Sequence, residues 1–272
     1  MRKSFLKVSV IYATYFIKDY IDKFNTTLDD TIMHLSSASS KYHNFDYENG
    51  RSLGEMIGWK EIQSIRDIKE FFRFVLTQIA VEMEPFWFKI SYLGRDKVFS
   101  VLCEDQIQCF KVAELGSLDN SSDAIEWWEH IIYLSQRRND FQKLEIGKVA
   151  EKKTLILENN RLREMGINRC ARRVSIEDSC SGYDVVSYRL VDSKVQELKI
   201  EVKSYSYGEP HFYITHNEWK TAINNLLNYK FYIWDNQSEY PLEITPMQLV
   251  EHIPINNGDG KWEKVKIYIK NK

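Results

Sequence analysis

The segment ELKIEVKS, residues 197–204, places a carboxylate and an amine, Glu201 and Lys203, two positions apart between Leu198, Ile200 and Val202. On an extended chain side chains alternate, so the three apolar residues take one face and Glu201 and Lys203 the other. Alone, such a pair is most simply a surface salt bridge. Asp184, in GYD at 182–184, changes the reading, because a turn at Val191–Ser193 would fold its strand back along residues 196–205 and bring Asp184 to Glu201. Two carboxylates that close repel one another unless a proton or a cation lies between them. A divalent metal fits: Mg²⁺, or Mn²⁺, takes oxygen ligands, keeps several waters and uses one or two protein carboxylates together with substrate phosphate. The Val202 carbonyl offers a further ligand. Lys203 could then neutralise charge developing on a phosphate or position the attacking water, and the set describes phosphodiester hydrolysis.

A third acid stands on the preceding helix, expected from about Asn139 to Met165. At 100° per residue Glu151 falls about 20° from Leu144 and about 40° from Leu155. It is either aimed at the metal from within an apolar stripe or paired with Lys148 or a nearby arginine.

The elements that would position these residues follow from periodicity. A strand is expected near Arg172–Glu177, further strands at Tyr183–Leu190 and Gln196–Tyr205, and a helix opening at Thr215, whose capping partner is Glu218. On that helix Trp219, Ala222, Ile223, Leu226 and Leu227 share a face. A strand at KFYIW, a short helix at PMQLVEHI and a last strand at KWEKVKIYI complete an αβββαβ order with an added helix and strand. The fold class is α/β with a mixed sheet, spanning 136–272. Residues 1–135 read as a smaller α+β domain: helix over about Phe5–His34, a polar connector at Ser36–Arg51, and a helix of about five turns from Trp59. A three-stranded antiparallel meander follows at FWFKISYL, KVFSVLCE and QIQCFKV, then a helix from Ser121 or Ser122 with Ile125, Trp128 and Ile132 inward. Trp127 and Trp128 fit a core better than a stacking platform, and no chemical motif is legible in this half.

Composition narrows the class. With 272 residues, 43% apolar and 28% charged, and 11 Gly and 5 Pro, the chain is a folded protein with a sizeable core. Its net charge of -2 argues against a protein that coats nucleic acid indiscriminately. Basic residues nevertheless cluster in 148–173 and 261–272, on either side of an acidic stretch. Lys152, Lys153, Arg172 and Arg173, with Arg161, Arg163 and Arg169, are candidates for backbone phosphates. Asn217 and His216, at the start of the second helix, could meet a phosphate or merely cap it, while His211, Tyr213 and Trp219 fit packing. The four cysteines form neither a zinc pattern nor a disulfide framework. Lys7 and Lys18 interrupt the apolar N-terminus, no cleavage site follows, and no membrane span is present, so a cytoplasmic protein is expected.

Taken together, Gly147 and Glu151, GYD at 182–184, IEVK at 200–203, FYITHNEW at 212–219, Tyr229 and Phe231-Tyr232 resemble the domain at the C-terminus of the plant protein NO VEIN. That domain is also widespread in bacterial proteins and is placed in the PD-(D/E)xK, restriction-endonuclease-like superfamily. The resemblance covers about residues 140–236, with Tyr183 where the superfamily usually has proline. It implies a Mg²⁺-dependent DNA endonuclease with Asp184, Glu201 and Lys203 as catalytic positions and Glu151 as a helix-borne acid, in restriction or anti-phage defence. Residues 1–135 would then serve targeting, sensing or assembly, as a homodimer or with a protein partner. The alternative is a non-catalytic nuclease-fold subunit that binds nucleic acid beside an ATPase or helicase.

Overall fold

The computed structural model describes residues 5–37, 44–174, 181–205, 211–235 and 238–269. The chain divides into two compact units, Met1–Asp140 and Phe141–Lys272. Among the described residues no helix is long and apolar enough to cross a membrane.

The first unit is built from helices among its described residues: α1 (Val8–Phe24), α2 (Leu28–Ser37), α3 (Tyr47–Ile57), α4 (Trp59–Ile62), α5 (Ile68–Met83), α6 (Phe86–Lys89), α7 (Arg95–Phe99), α8 (Glu104–Val112) and the start of α9 (Ser122–Glu164). The expected meander, and with it the α+β reading of this half, is corrected: its three runs form α6 with a 3₁₀ turn at Ser91–Leu93, α7, and α8. The reason lies in neighbouring pairs. Trp87 and Phe88 are both buried, as are Cys109 and Phe110. Adjacent residues on a strand point to opposite faces, whereas on a helix they lie 100° apart and can enter one core. Phe110 sits at the centre, 5.3 Å from Trp87, 5.6 Å from Phe99 and 5.7 Å from Trp128 between ring centroids. Trp127 and Trp128 are therefore packing residues, with indole N–H groups donating to the Thr77 hydroxyl and the Leu115 carbonyl.

The expected five-turn helix is also split, because Asp67 caps α5 by accepting the Glu70 N–H at 2.9 Å. Conversely, the two helices expected near 122 and 139 are one, α9. Its inward face in the first unit carries Ala124, Trp128 and Ile131, while Ile125 is exposed.

The second unit carries β1 (Arg172–Arg173), β2 (Val185–Val191), β3 (Lys194–Tyr205), β4 (His211–Thr215), α10 (His216–Asn224), β5 (Tyr229–Asp235), β6 (Leu242–Ile244) and β7 (Lys264–Tyr268). The main sheet has the order β1-β2-β3-β5-β6, and β4 pairs with β7 in a separate two-stranded sheet. Antiparallel β2 and β3 meet at Asp192-Ser193, both at positive φ, as a two-residue hairpin turn requires. β5 runs parallel to β3, the crossover between them holding β4 and α10. The expected αβββαβ sequence of elements is present, with β4, β6 and β7 added. PMQLVEHI forms two 3₁₀ turns, Pro246–Gln248 and Val250–His252, in place of a short helix.

The sheet is buried on both faces. Leu155 and Leu162 of α9 pack with Val185, Leu198, Ile200 and Tyr232 on one side. On the other, Ala222 of α10 and Phe212 and Ile214 of β4 pack with Tyr229, Phe231 and Ile233. Such a central strand reads as a continuous apolar run, as Phe231–Trp234 does. A buried polar network ties α9 to the sheet. The Tyr232 hydroxyl donates to Glu158 at 2.8 Å and accepts from Arg161 at 2.7 Å, while Arg161 also reaches Glu158 and Glu243. Tyr232→Phe removes a hydrogen bond to a charged group and is expected to cost about 2 kcal/mol, read as a lower urea midpoint at unchanged slope.

Candidate active site

The β2–β3 register ends with Val185 opposite Ile200, so Asp184 stands just before β2, beside Ile200 and Glu201, and its charge acts on Glu201. Asp184 is anchored by the backbone: its N–H donates to the Ile200 carbonyl at 3.0 Å, and its Oδ2 accepts the Val202 N–H at 2.8 Å. No donor to Oδ1 occurs among the described residues. Glu201 is 4% exposed. Lys203 lies between two acids, with Nζ 2.7 Å from Glu201 Oε1 and 2.9 Å from Glu218 Oε2.

Glu218 is the residue that sequence reading missed. Its visible role was the capping box, and that role holds: Glu218 Oε2 accepts the Thr215 N–H at 2.9 Å, and the Thr215 hydroxyl accepts the Glu218 N–H at 3.3 Å. The same oxygen also meets Lys203, so the first turn of α10 is tied to the chemistry of β3.

Glu151 meets the expectation of an arginine partner. It pairs with Arg173, Oε2 to Nη2 at 2.5 Å, and it also raises the pKa of Asp184, which places it within electrostatic reach of the cluster. Lys148 pairs with Glu145 instead. Leu144, the neighbour that suggested a buried stripe, is 59% exposed.

Charge in the cluster is unbalanced. Among the described residues, Asp184, Glu201 and Glu218 are set against one ammonium, that of Lys203. Burial first, then Glu151 and Glu218, push the Asp184 carboxyl up to about 6, against the Val202 N–H and Lys203. Burial also holds Glu201 well above an ordinary glutamate, with Lys203 opposing and Asp184 and Glu218 adding to it. For Lys203 burial acts downward, yet Glu201 and Glu218 outweigh it and hold the ammonium above the ordinary lysine value. Lys203 thus stays cationic throughout the physiological range. It can stabilise negative charge, and it is unsuited to act as a general base.

Glycine is required at 182. Its φ is +73°, and a Cβ there would lie 2.5 Å from the Thr221 hydroxyl and 3.2 Å from the Asn217 carbonyl. Tyr229 closes the same corner by donating its hydroxyl to the Gly182 carbonyl at 2.7 Å. The GYD motif is therefore the seat of α10 against the start of β2. Gly182→Ala is expected to cost about 2 kcal/mol or more, from positive φ and overpacking together, with a corresponding drop in Tm that Thr221→Ala partly restores.

The basic candidates divide. Lys152, Arg172 and Asn217 are exposed. Arg173 is taken by Glu151, Lys153 lies 5.3 Å from the Trp234 ring centre, and Arg169 lies 4.7 Å from that of Tyr188. Arg161 belongs to the Tyr232 network.

Residues 150–246 match the protein family Protein NO VEIN, C-terminal. This span of the NO VEIN C-terminal match holds Glu151, Asp184, Glu201, Lys203 and Glu218, the whole charged cluster, and ends before β7. Neither a curated protein nor a solved structure matches the chain.

No group of three or more His, Cys, Asp or Glu side chains able to hold a metal occurs among the described residues. A cation here therefore has to complete its shell from backbone, water or phosphate, which is the habit of Mg²⁺. The donors suit it: they are all oxygen, and the surplus negative charge is what a cation would relieve.

Proposed function

We propose that the second unit is a metal-dependent endonuclease of PD-(D/E)xK type that hydrolyses phosphodiester bonds of DNA, in a bacterial restriction or anti-phage system. The observation that carries this reading is Lys203 held between Glu201 and Glu218 with Asp184 across the hairpin. The nuclease-like character of the NO VEIN C-terminal family supports it. Asp184, Glu201 and the Val202 carbonyl would hold Mg²⁺ or Mn²⁺, which supplies Lewis acidity and a more acidic water. Lys203, permanently charged and fixed by two carboxylates, faces the phosphoryl oxygens as negative charge accumulates on them. Glu218 fixes the Lys203 ammonium, and Glu151, restrained by Arg173, keeps the site acidic enough to favour a cation. Lys152, Arg172 and Asn217 contact the phosphate backbone. The helical first unit selects the target, senses a signal or holds a partner or second copy in the cytoplasm.

The test is cleavage of plasmid and single-stranded DNA by the full-length protein. Mg²⁺ or Mn²⁺ is expected to support cutting and EDTA to stop it. A protein that binds DNA yet cuts neither DNA nor RNA with either metal is instead a binding or assembly subunit.

A further inference from the structure

We infer that the β4–β7 ribbon is a stacking platform for single-stranded nucleic acid that leads away from the charged cluster. The register sets His211 opposite Tyr268, Tyr213 opposite Lys266 and Thr215 opposite Lys264. The alternate residues Phe212, Ile214 and Ile267 are buried in the core, so these six share the outward face. None of the six is acidic.

Rings and cations interleave on that face. Lys264 Nζ lies 4.4 Å from the Tyr213 ring centre, and Lys266 Nζ lies 4.7 Å from that of Tyr268 and 6.0 Å from that of Tyr213. Tyr213 is 40% exposed and Tyr268 54%, although Tyr213 reads from the sequence as a packing residue. Cross-strand pairing alone would account for rings and cations side by side. The same outward face also carries two lysines, Lys264 and Lys266, whose charge a polyanion would meet. Exposed rings set among lysines bind nucleic acid whose base faces are open, and duplex bases are already stacked.

The strip is continuous with the cluster. Its Thr215 end meets Glu218, whose carboxylate holds Lys203, and the His216 and Trp262 rings pair there at 5.1 Å. From Thr215 to His211 it extends about 13 Å at the usual rise of a strand. As a path into the cluster the platform rests on the nuclease reading; as a binding surface it stands apart from it, and β7 lies outside the matched span.

The experiment is fluorescence anisotropy of the full-length protein with labelled oligo-dT and with a duplex of equal length, in EDTA. Tyr213→Ala with Tyr268→Ala is expected to weaken oligo-dT binding about tenfold or more and duplex binding far less, while Tyr213→Phe with Tyr268→Phe retains affinity. Lys264→Ala with Lys266→Ala, at exposed positions, should reduce the salt slope of log K for oligo-dT by about 1.4. This lysine pair decides the matter should the tyrosine-to-alanine protein melt early. Unchanged oligo-dT affinity and salt slope in folded variants, or equal losses in the phenylalanine and alanine pairs, would overturn the platform. Asp184→Asn separates the two readings. Normal cleavage by that variant refutes the nuclease and leaves the platform standing, whereas intact oligo-dT binding by the ribbon variants refutes only the platform.

Discussion

Asp184→Asn is expected to lower metal-dependent DNA cleavage by about 1,000-fold or more while making the metal-free protein more stable. Both effects have one cause. Asparagine is nearly isosteric and its side-chain oxygen can still accept the Val202 N–H, so the hairpin keeps its anchor. What is lost is a negative charge that burial, Glu151 and Glu218 disfavour in the fold. A carboxyl held at about 6 is neutral in the folded chain over a range where the unfolded chain has already ionised. Its contribution to stability therefore falls as pH rises from about 4 to about 6 and is constant above that. In EDTA, Asp184→Asn and wild type should melt alike near pH 4, and at pH 8 the variant should be the more stable by about 1–3 kcal/mol. Such a trade of stability for activity is usual where like charges are kept together for chemistry.

Lys203→Met acts in the opposite direction. It removes the ammonium that, among the described residues, meets both Glu201 and Glu218, and leaves a buried carboxylate without that counter-charge. Breaking a buried pair from one side costs about 3–5 kcal/mol. Urea denaturation at pH 8 should show that loss, together with loss of cleavage. The double variant Lys203→Met, Glu201→Gln should recover much of the stability and none of the activity, because the orphaned charge is then gone. Equal instability of the single and double variants would mean that Lys203 stabilises the fold by packing rather than by pairing. The two substitutions thus separate the roles of the cluster: Asp184 is retained at a cost to the fold, and Lys203 holds the acids in it.

The legible part of this architecture was local. Alternation in ELKIEVKS and the Asp192-Ser193 turn set the hairpin register, and that register brings Asp184, at the head of β2, to the stretch of β3 that holds Glu201. The apolar run FYIW, after Lys230, was likewise legible as a strand from its own residues. Glu218 escaped because its capping role is visible within four residues, whereas its contact with Lys203 depends on how the crossover returns α10 to the sheet. β4 and β7 are separated by α10, β5 and β6, and nothing local announces that HFYIT pairs with KVKIY. In the first half, aromatic and β-branched runs carried strand propensity that tertiary packing overrode, since neighbours such as Cys109 and Phe110 both enter one core. Charge counting marked 148–173 as basic but could not show that Arg161 and Arg173 already have acidic partners.

Titration calorimetry of the full-length protein with Mn²⁺ tests the central claim most directly, since Asp184 and Glu201 are argued to sit together for the sake of a cation. One Mn²⁺ site per chain is predicted for wild type, abolished in Asp184→Asn and in Glu201→Gln. An absence of binding in wild type, or equal binding by wild type and both variants, would contradict it.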